Sequence, residues 1–165
     1  MRKITFFLPL AALALTACGY SVSDAVDDIK NSDGSAFEDG KTISTTEATT
    51  AAFTEVKALG PDNIVFVTGD AFTIKAEGNA KAIATLRYKL EDGTIKIGRS
   101  KGNWFGDEGE GVTVMITAPK LSAASLAGSG DFTADKMEGE TVKVKIAGSG
   151  SLKVAEVAAK TLETK

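Results

Sequence analysis

The segment Ala127-Gly128-Ser129-Gly130-Asp131-Phe132 returns twenty residues later as Ala147-Gly148-Ser149-Gly150-Ser151-Leu152. Its flanks return with it: Leu126 aligns with Ile146, Ala134 with Val154 and Val142 with Leu162. A short fixed period constrains a chain strongly, because each unit must bury its apolar side against its neighbours. Every unit holds two short alternating strands, such as Val142–Ile146 and Leu152–Val154. Glycine gives the permissive backbone needed at a corner between them, so Gly128, Ser129, Gly130, Gly148, Ser149 and Gly150 are expected as corner turns. The pattern predicts an all-β fold, a parallel β-helix or β-solenoid with rungs of about 20 residues. Only two rungs can be counted, and the next triplet is due at position 168, beyond Lys165. Since about three repeats are usually needed for stability, the count predicts a C-terminally truncated or short, degenerate solenoid. Its last rung would be an open edge able to pair with a second copy.

Upstream, the apolar period is also two. Ile64, Phe66 and Thr68 alternate with Val65 and Val67, and Phe72, Ile74 and Ala76 with Thr73 and Lys75. The Asp92-Gly93 pair between Leu86–Leu90 and Ile95–Ile97 is a hairpin signal, since both central residues of such a turn take positive φ. Val112–Thr117 is a further strand stopped by Ala118-Pro119. A sustained helical period is absent, although Ala80 to Thr85 could form one helical turn.

The chain begins with Arg2 and Lys3 and an apolar run of about a dozen residues, too short to span a bilayer and suited to a secretory signal. The run ends in Leu15-Thr16-Ala17-Cys18, which resembles the lipobox of bacterial lipoprotein precursors. That resemblance implies cleavage before Cys18, acylation of its sulfur and of its new amino group, and stable membrane attachment through several acyl chains. Gly19 rather than Asp follows the cysteine, which in a Gram-negative cell resembles the outer-membrane sorting pattern.

Charge divides the rest. Residues 19–52 carry seven acids and two bases, whereas residues 53–165 carry fifteen of each sign. The acidic segment includes the polar tract 44–52 and lacks sustained apolar periodicity, so residues 18–52 are expected as a lipidated cysteine and disordered tether. The domains are then 1–17 signal peptide, 18–52 anchor and tether, and 53–165 β domain.

Histidine is absent and cysteine occurs once. Ser-His-Asp and Cys-His catalysis, His-ligated zinc and paired-cysteine sites are thereby excluded. A formal charge of −3 argues against nucleic acid as a partner. Gly-Ser-Gly has neither the spacing of a nucleophile elbow nor the lysine of a phosphate loop. Asp131 becomes Ser151 in the next rung, so no calcium-binding carboxylate ladder forms. No metal or other cofactor is called for; Asp107, Glu108 and Glu110 read as solvated acids. Trp104 and Phe105 sit among glycines; large aromatics bury readily, which favours their covering one end of the β-stack, and they are also the candidate ligand contacts, as a platform for a glycan or protein. The catalytic chemistry left is a carboxylate pair for glycoside hydrolysis, Asp131 with Asp135 or Glu138 with Glu140.

The order of these segments carries a family resemblance. Phe53-Thr54-Glu55-Val56, Ile64–Val67, Phe72–Glu77, Tyr88–Ile97 and Val112–Leu121 with its Ala118-Pro119-Lys120-Leu121 exit are followed by Leu126-Ala127-Gly128-Ser129-Gly130. Together, over residues 53–165, they resemble the auto-transporter adhesin, head GIN domain family. The resemblance implies a β-helical envelope protein and carries over no catalytic residues. The expected protein is therefore a non-enzymatic, lipid-anchored adhesin-like protein of the bacterial cell envelope, in the outer membrane if the cell is Gram-negative. Its expected partners are the membrane, an envelope glycan or protein, and a second copy; a carbohydrate-active β-helix and a structural periplasmic lipoprotein are the alternatives.

Overall fold

The computed structural model describes residues 35–100, 102 and 111–165. A 3-10 turn, Ser35–Phe37, is followed by β1 (Lys41–Thr42), β2 (Ala48–Thr49), β3 (Glu55–Gly60), β4 (Asn63–Thr68) and β5 (Thr73–Glu77). Next come α1 (Ala80–Thr85), β6 (Leu86–Glu91), β7 (Thr94–Arg99), β8 (Thr113–Ala118), β9 (Ala123–Gly128), β10 (Phe132–Gly148) and β11 (Leu152–Thr164). The all-β expectation holds. Local chemistry sets the short elements: the Asn79 side chain accepts hydrogen bonds from the Lys81 and Ala82 amides and starts α1. At the β6–β7 hairpin, Asp92 and Gly93 take φ of 49° and 75°.

All the described strands belong to one sheet, in the order β1-β6-β7-β3-β9-β10-β4-β8-β5-β2, with β11 also on β10. Strand β10 is the fold line. Its first residues, Phe132–Ala134, pair in parallel with β4, while Lys143–Gly148 pair in parallel with β9. One strand therefore joins two walls, β6-β7-β3-β9-β10 and β5-β8-β4-β10, and the sheet curls into a half-barrel.

The repeat is visible in the register. Lys143 lies opposite Ala123, and Leu152 opposite Phe132, each twenty residues away. The earlier strands do not follow that period: β3 and β4 reach β9 and β10 across long crossovers, as in the 3.2 Å hydrogen bond from Ser122 Oγ to the Thr54 carbonyl, 68 positions apart. Strands β5 and β6 pair antiparallel to β8 and β7. A solenoid of uniform 20-residue rungs is thus narrowed to a half-barrel whose last strands alone advance by twenty. Antiparallel partners and the inserted helix at the other end carry no repeat to read.

Strand alternation sends four apolar columns inward. On one wall they are Leu90–Ile95–Val56–Ala124–Val144 and Tyr88–Ile97–Ala58–Leu126–Ile146. On the other they are Ala76–Val114–Ile64–Phe132–Leu152 and Ile74–Ile116–Phe66–Ala134–Val154. The middle members form the buried core.

Part of the expected tether belongs to this domain. Strand β1 pairs with β6 at one end of the sheet path and β2 with β5 at the other, so residues 41–49 cross the mouth of the half-barrel. Ile43 is buried in the core there, and the Ser44 carbonyl accepts from the Ala76 amide at 2.8 Å. Phe37 is buried against Gly98, where a Cβ would fall 2.4 Å from the ring. Residues 41–49, expected as tether, thus pair with the sheet: isolated apolar residues in a polar tract gain their burial from seats on distant strands, which local periodicity does not register.

Candidate functional site

The outward positions of the first wall carry a row of lysines. Lys89 lies opposite Lys96, Lys96 opposite Lys57, Lys57 opposite Ser125, and Ser125 opposite Lys145. Lys165 continues the row, since its amide donates to the Val144 carbonyl and its carbonyl accepts from the Ile146 amide, both at 3.0 Å. Neighbouring strands are about 4.8 Å apart, so the row spans roughly 24 Å. Alternation places these side chains outside because Val56, Ile95 and Ala124 next to them point into the core.

Acids border the row. Glu91 pairs with Lys96 at 2.7 Å, Asp39 pairs with Lys89, and Glu55 accepts from Thr94 Oγ1 at 3.1 Å. The Lys96 hydrogen bond holds the Glu91 carboxyl below its ordinary value, and that from Lys89 does the same for Asp39. Glu163 lies opposite Lys143 at the edge of the same wall. A shallow groove of about 270 Å³ follows the row past Lys57, Ser125, Lys143, Lys145 and Lys165. A second hollow of about 390 Å³ lies beside Lys89, at the opposite end, lined by Asp39, Lys41, Tyr88 and Glu91. Chemically this is a row of ammonium groups interrupted at Ser125, with Lys89 and Lys96 paired to acids at one end, a shape that suits an extended anionic chain.

Those sequence-predicted site residues that are described fall elsewhere. Leu15, Thr16, Ala17, Cys18, Trp104, Phe105, Asp107, Glu108 and Glu110 lie outside the described residues. Gly128 ends β9 and Gly148 ends β10, with Ser129, Gly130, Ser149 and Gly150 in the connections that follow. Gly60, Gly128 and Gly148 stack in register with φ of 115°, 148° and 136°. A Cβ on Gly128 would lie 2.1 Å from the Gly60 carbonyl oxygen, and one on Gly148 equally close to that of Gly128. Close stacking at the corner therefore excludes a side chain, in addition to the backbone requirement.

The carboxylates proposed for hydrolysis are engaged along the outer surface. Asp131 Oδ1 accepts from the Ser151 amide at 3.0 Å and Ser151 Oγ at 2.7 Å, and these bonds hold its carboxyl below the ordinary range. Asp135 accepts from the Thr68 amide at 2.8 Å. Glu138 is bridged by Lys136 at 2.9 Å, which also lowers its carboxyl, and Glu140 by Lys160 at 2.9 Å.

One buried charge pair escapes sequence reading altogether. Asp62, in the β3–β4 corner, accepts from Arg99 Nε at 2.8 Å and Nη2 at 2.6 Å, and from the Val112 amide at 3.3 Å. Both side chains are about 95% buried. The hydrogen bond to Asp62 raises the Arg99 guanidinium further above its ordinary value, against the lowering effect of burial. The pair fastens the first wall to the start of β8 on the second. The Pro61-Asp62 turn signals a corner, but nothing local signals its partner.

Comparison with known proteins agrees with this architecture. An adhesin-described protein from Bacteroides fragilis superposes with a TM-score of 0.60 at 17% identity, over 74% of this chain and 60% of that one. A protein described as a putative lipid binding protein from Parabacteroides distasonis gives 0.50 at 18% identity, over 75% and 65%. An adhesin-described protein from Parabacteroides merdae gives 0.50 at 16% identity, over 75% and 58%. The chain thus spans about three fifths of the length of these structures, and the likeness is one of fold. No curated protein sequence is significantly similar to it. The sequence profile described as "putative auto-transporter adhesin, head GIN domain" matches residues 52–165, and the chain belongs to that family.

Proposed function

We propose that the chain is a non-enzymatic, lipid-anchored protein of the bacterial cell envelope whose half-barrel adheres to an anionic surface polymer along the lysine row. The in-register line Lys89–Lys96–Lys57–Ser125–Lys145–Lys165 carries this reading. Each exposed ion pair contributes little, about 0.2–1 kcal/mol, so adhesion depends on many contacts along a repeating ligand. An acidic glycan supplies that repeat. The last strands, advancing by twenty, act as short solenoid rungs, and the glycine corners allow the rungs to stack.

Lipidation at Cys18 keeps the domain at the membrane, in the outer membrane if the cell is Gram-negative. The lipobox residues Leu15, Thr16 and Ala17 support that reading. Inhibition of lipoprotein signal peptidase should make the precursor accumulate, and Cys18→Ser should release the protein from membranes. Normal processing with a membrane-bound Cys18→Ser variant contradicts the anchor.

The binding experiment uses polygalacturonate, which has one carboxylate per sugar, and neutral dextran as its uncharged counterpart. Salt-sensitive retention on the first alone supports the reading; equal retention on both contradicts it. A relative described as lipid binding makes vesicles the second arm. Binding to anionic vesicles without polygalacturonate binding replaces the glycan with a lipid surface.

A further inference from the structure

We infer that the β11 edge is a symmetric self-association site, where two copies pair their β11 strands antiparallel about Ala158. This inference does not depend on the adhesion reading.

The two ends of the half-barrel are finished differently. Residues 41–49 and α1 cover one end, with Ile43, Ala82 and Ile83 buried. At the β11 end no described residue covers the inward columns: Met137 and Val142 are fully buried, but Val157 and Leu162, their partners one repeat on, are 43% and 53% exposed. Ile146 is 39% exposed, whereas its partner Leu126 is buried.

The strand's own charges select the occupant. β11 carries Lys153, Glu156, Lys160 and Glu163. An antiparallel copy centred on Ala158 sets Lys153 opposite Glu163 of the second copy and Glu156 opposite its Lys160. Symmetry repeats both pairs, so all eight charges face opposite charges. Slipping the copy by two residues towards the N-terminus puts all four opposite neutral residues; slipping it the other way sets Lys153 against Lys165. Odd slips exchange inner and outer faces.

The apolar residues obey the same register. Val154 meets Leu162, Leu152 meets Thr164, and Val157 meets Ala159, so inward positions meet inward positions. Backbone polarity agrees as well. Lys165 turns both its amide and its carbonyl to β10, so alternation turns those of Thr164 and Leu162 to the open edge. The Ser151 carbonyl faces Phe132, which likewise turns Leu152 and Val154 outward. Lys160 already reaches Glu140, and Glu156 lies 3.6 Å from Lys136, on the β10 side. The second copy adds the matching charge on the other side.

The test uses the full chain produced with its own leader. Ala158→Cys brings the new cysteine opposite itself across the two-fold axis, and oxidised membranes are run on a non-reducing gel, with the wild-type chain reporting any linkage through Cys18. The expected result is a dimer specific to Ala158→Cys. Adding Lys153→Glu should reduce that dimer at least fivefold, and Lys153→Glu with Glu163→Lys should restore it. Unfolding midpoints of the outward-facing variants, matched to wild type, separate loss of pairing from loss of fold. A linked product with a different protein, a dimer indifferent to the charge exchange, or no dimer with a folded variant each overturns the inference.

Discussion

The two walls share a core and a fold line yet present different chemistry to solvent. On the first, the central outward row is Lys89–Lys96–Lys57–Ser125–Lys145. On the second, the comparable row is Lys75–Met115–Val65–Thr133–Lys153, with lysines only at its ends. Inward columns on both walls are apolar, and their middle members are buried in one core. Folding therefore accounts for the inner faces of both walls and leaves the outer rows open to be set by something else. Like charges directly opposite on adjacent strands, as at Lys89–Lys96 and Lys96–Lys57, destabilise, and Asp39 and Glu91 offset that cost at Lys89 and Lys96. The concentration of lysines on the first wall is why adhesion is proposed there.

The largest effect on this comparison should come from separating the walls. Asp62→Ala leaves Arg99 buried without its partner and should destabilise the fold by about 3–5 kcal/mol, read from chemical denaturation; Asp62→Asn should retain part of that loss. If the walls share one core, Ile95→Ala on the first and Ile116→Ala on the second should each cost about 2–5 kcal/mol in a single cooperative transition. Two separate transitions would divide the walls into independent units.

A smaller, opposite effect is expected from building a second row. Val65→Lys with Thr133→Lys places lysines between Lys75 and Lys153, and affinity for polygalacturonate should rise several-fold at low salt and fall back as salt screens it. The smallest effect concerns pH. The folded-state carboxyl of Asp131 lies below its ordinary 3.8 because it accepts from Ser151. Its contribution is thus complete above about pH 5, declines as pH falls through 3.8, and is lost below the folded value. Asp131→Asn should flatten the acid limb of a stability–pH curve slightly; the same logic applies to Glu138, held down by Lys136.

How much was legible follows from where each interaction lies along the chain. The β9–β11 register could be read because its partners recur at one fixed offset, and the β6–β7 hairpin because Asp92-Gly93 is a local turn. The lysine row could not: Lys96, Lys57 and Lys145 are joined by crossovers of unequal length, and only the register aligns them. Asp62 and Arg99 meet for the same reason. Phe37 and Ile43 were hidden in an acidic, polar stretch because their burial depends on Gly98 and on the mouth of the half-barrel. The lipobox and the Trp104–Phe105 pair remain legible in sequence alone, being outside the described residues.

The central claim is that position in the row, rather than charge in general, creates the binding surface. Polygalacturonate titrations of Lys57→Gln/Lys145→Gln and Lys75→Gln/Lys153→Gln compare two variants that lose the same two charges from different walls. The account predicts at least a tenfold loss of affinity at low salt for the first pair and less than twofold for the second. Equal losses in the two variants would contradict it.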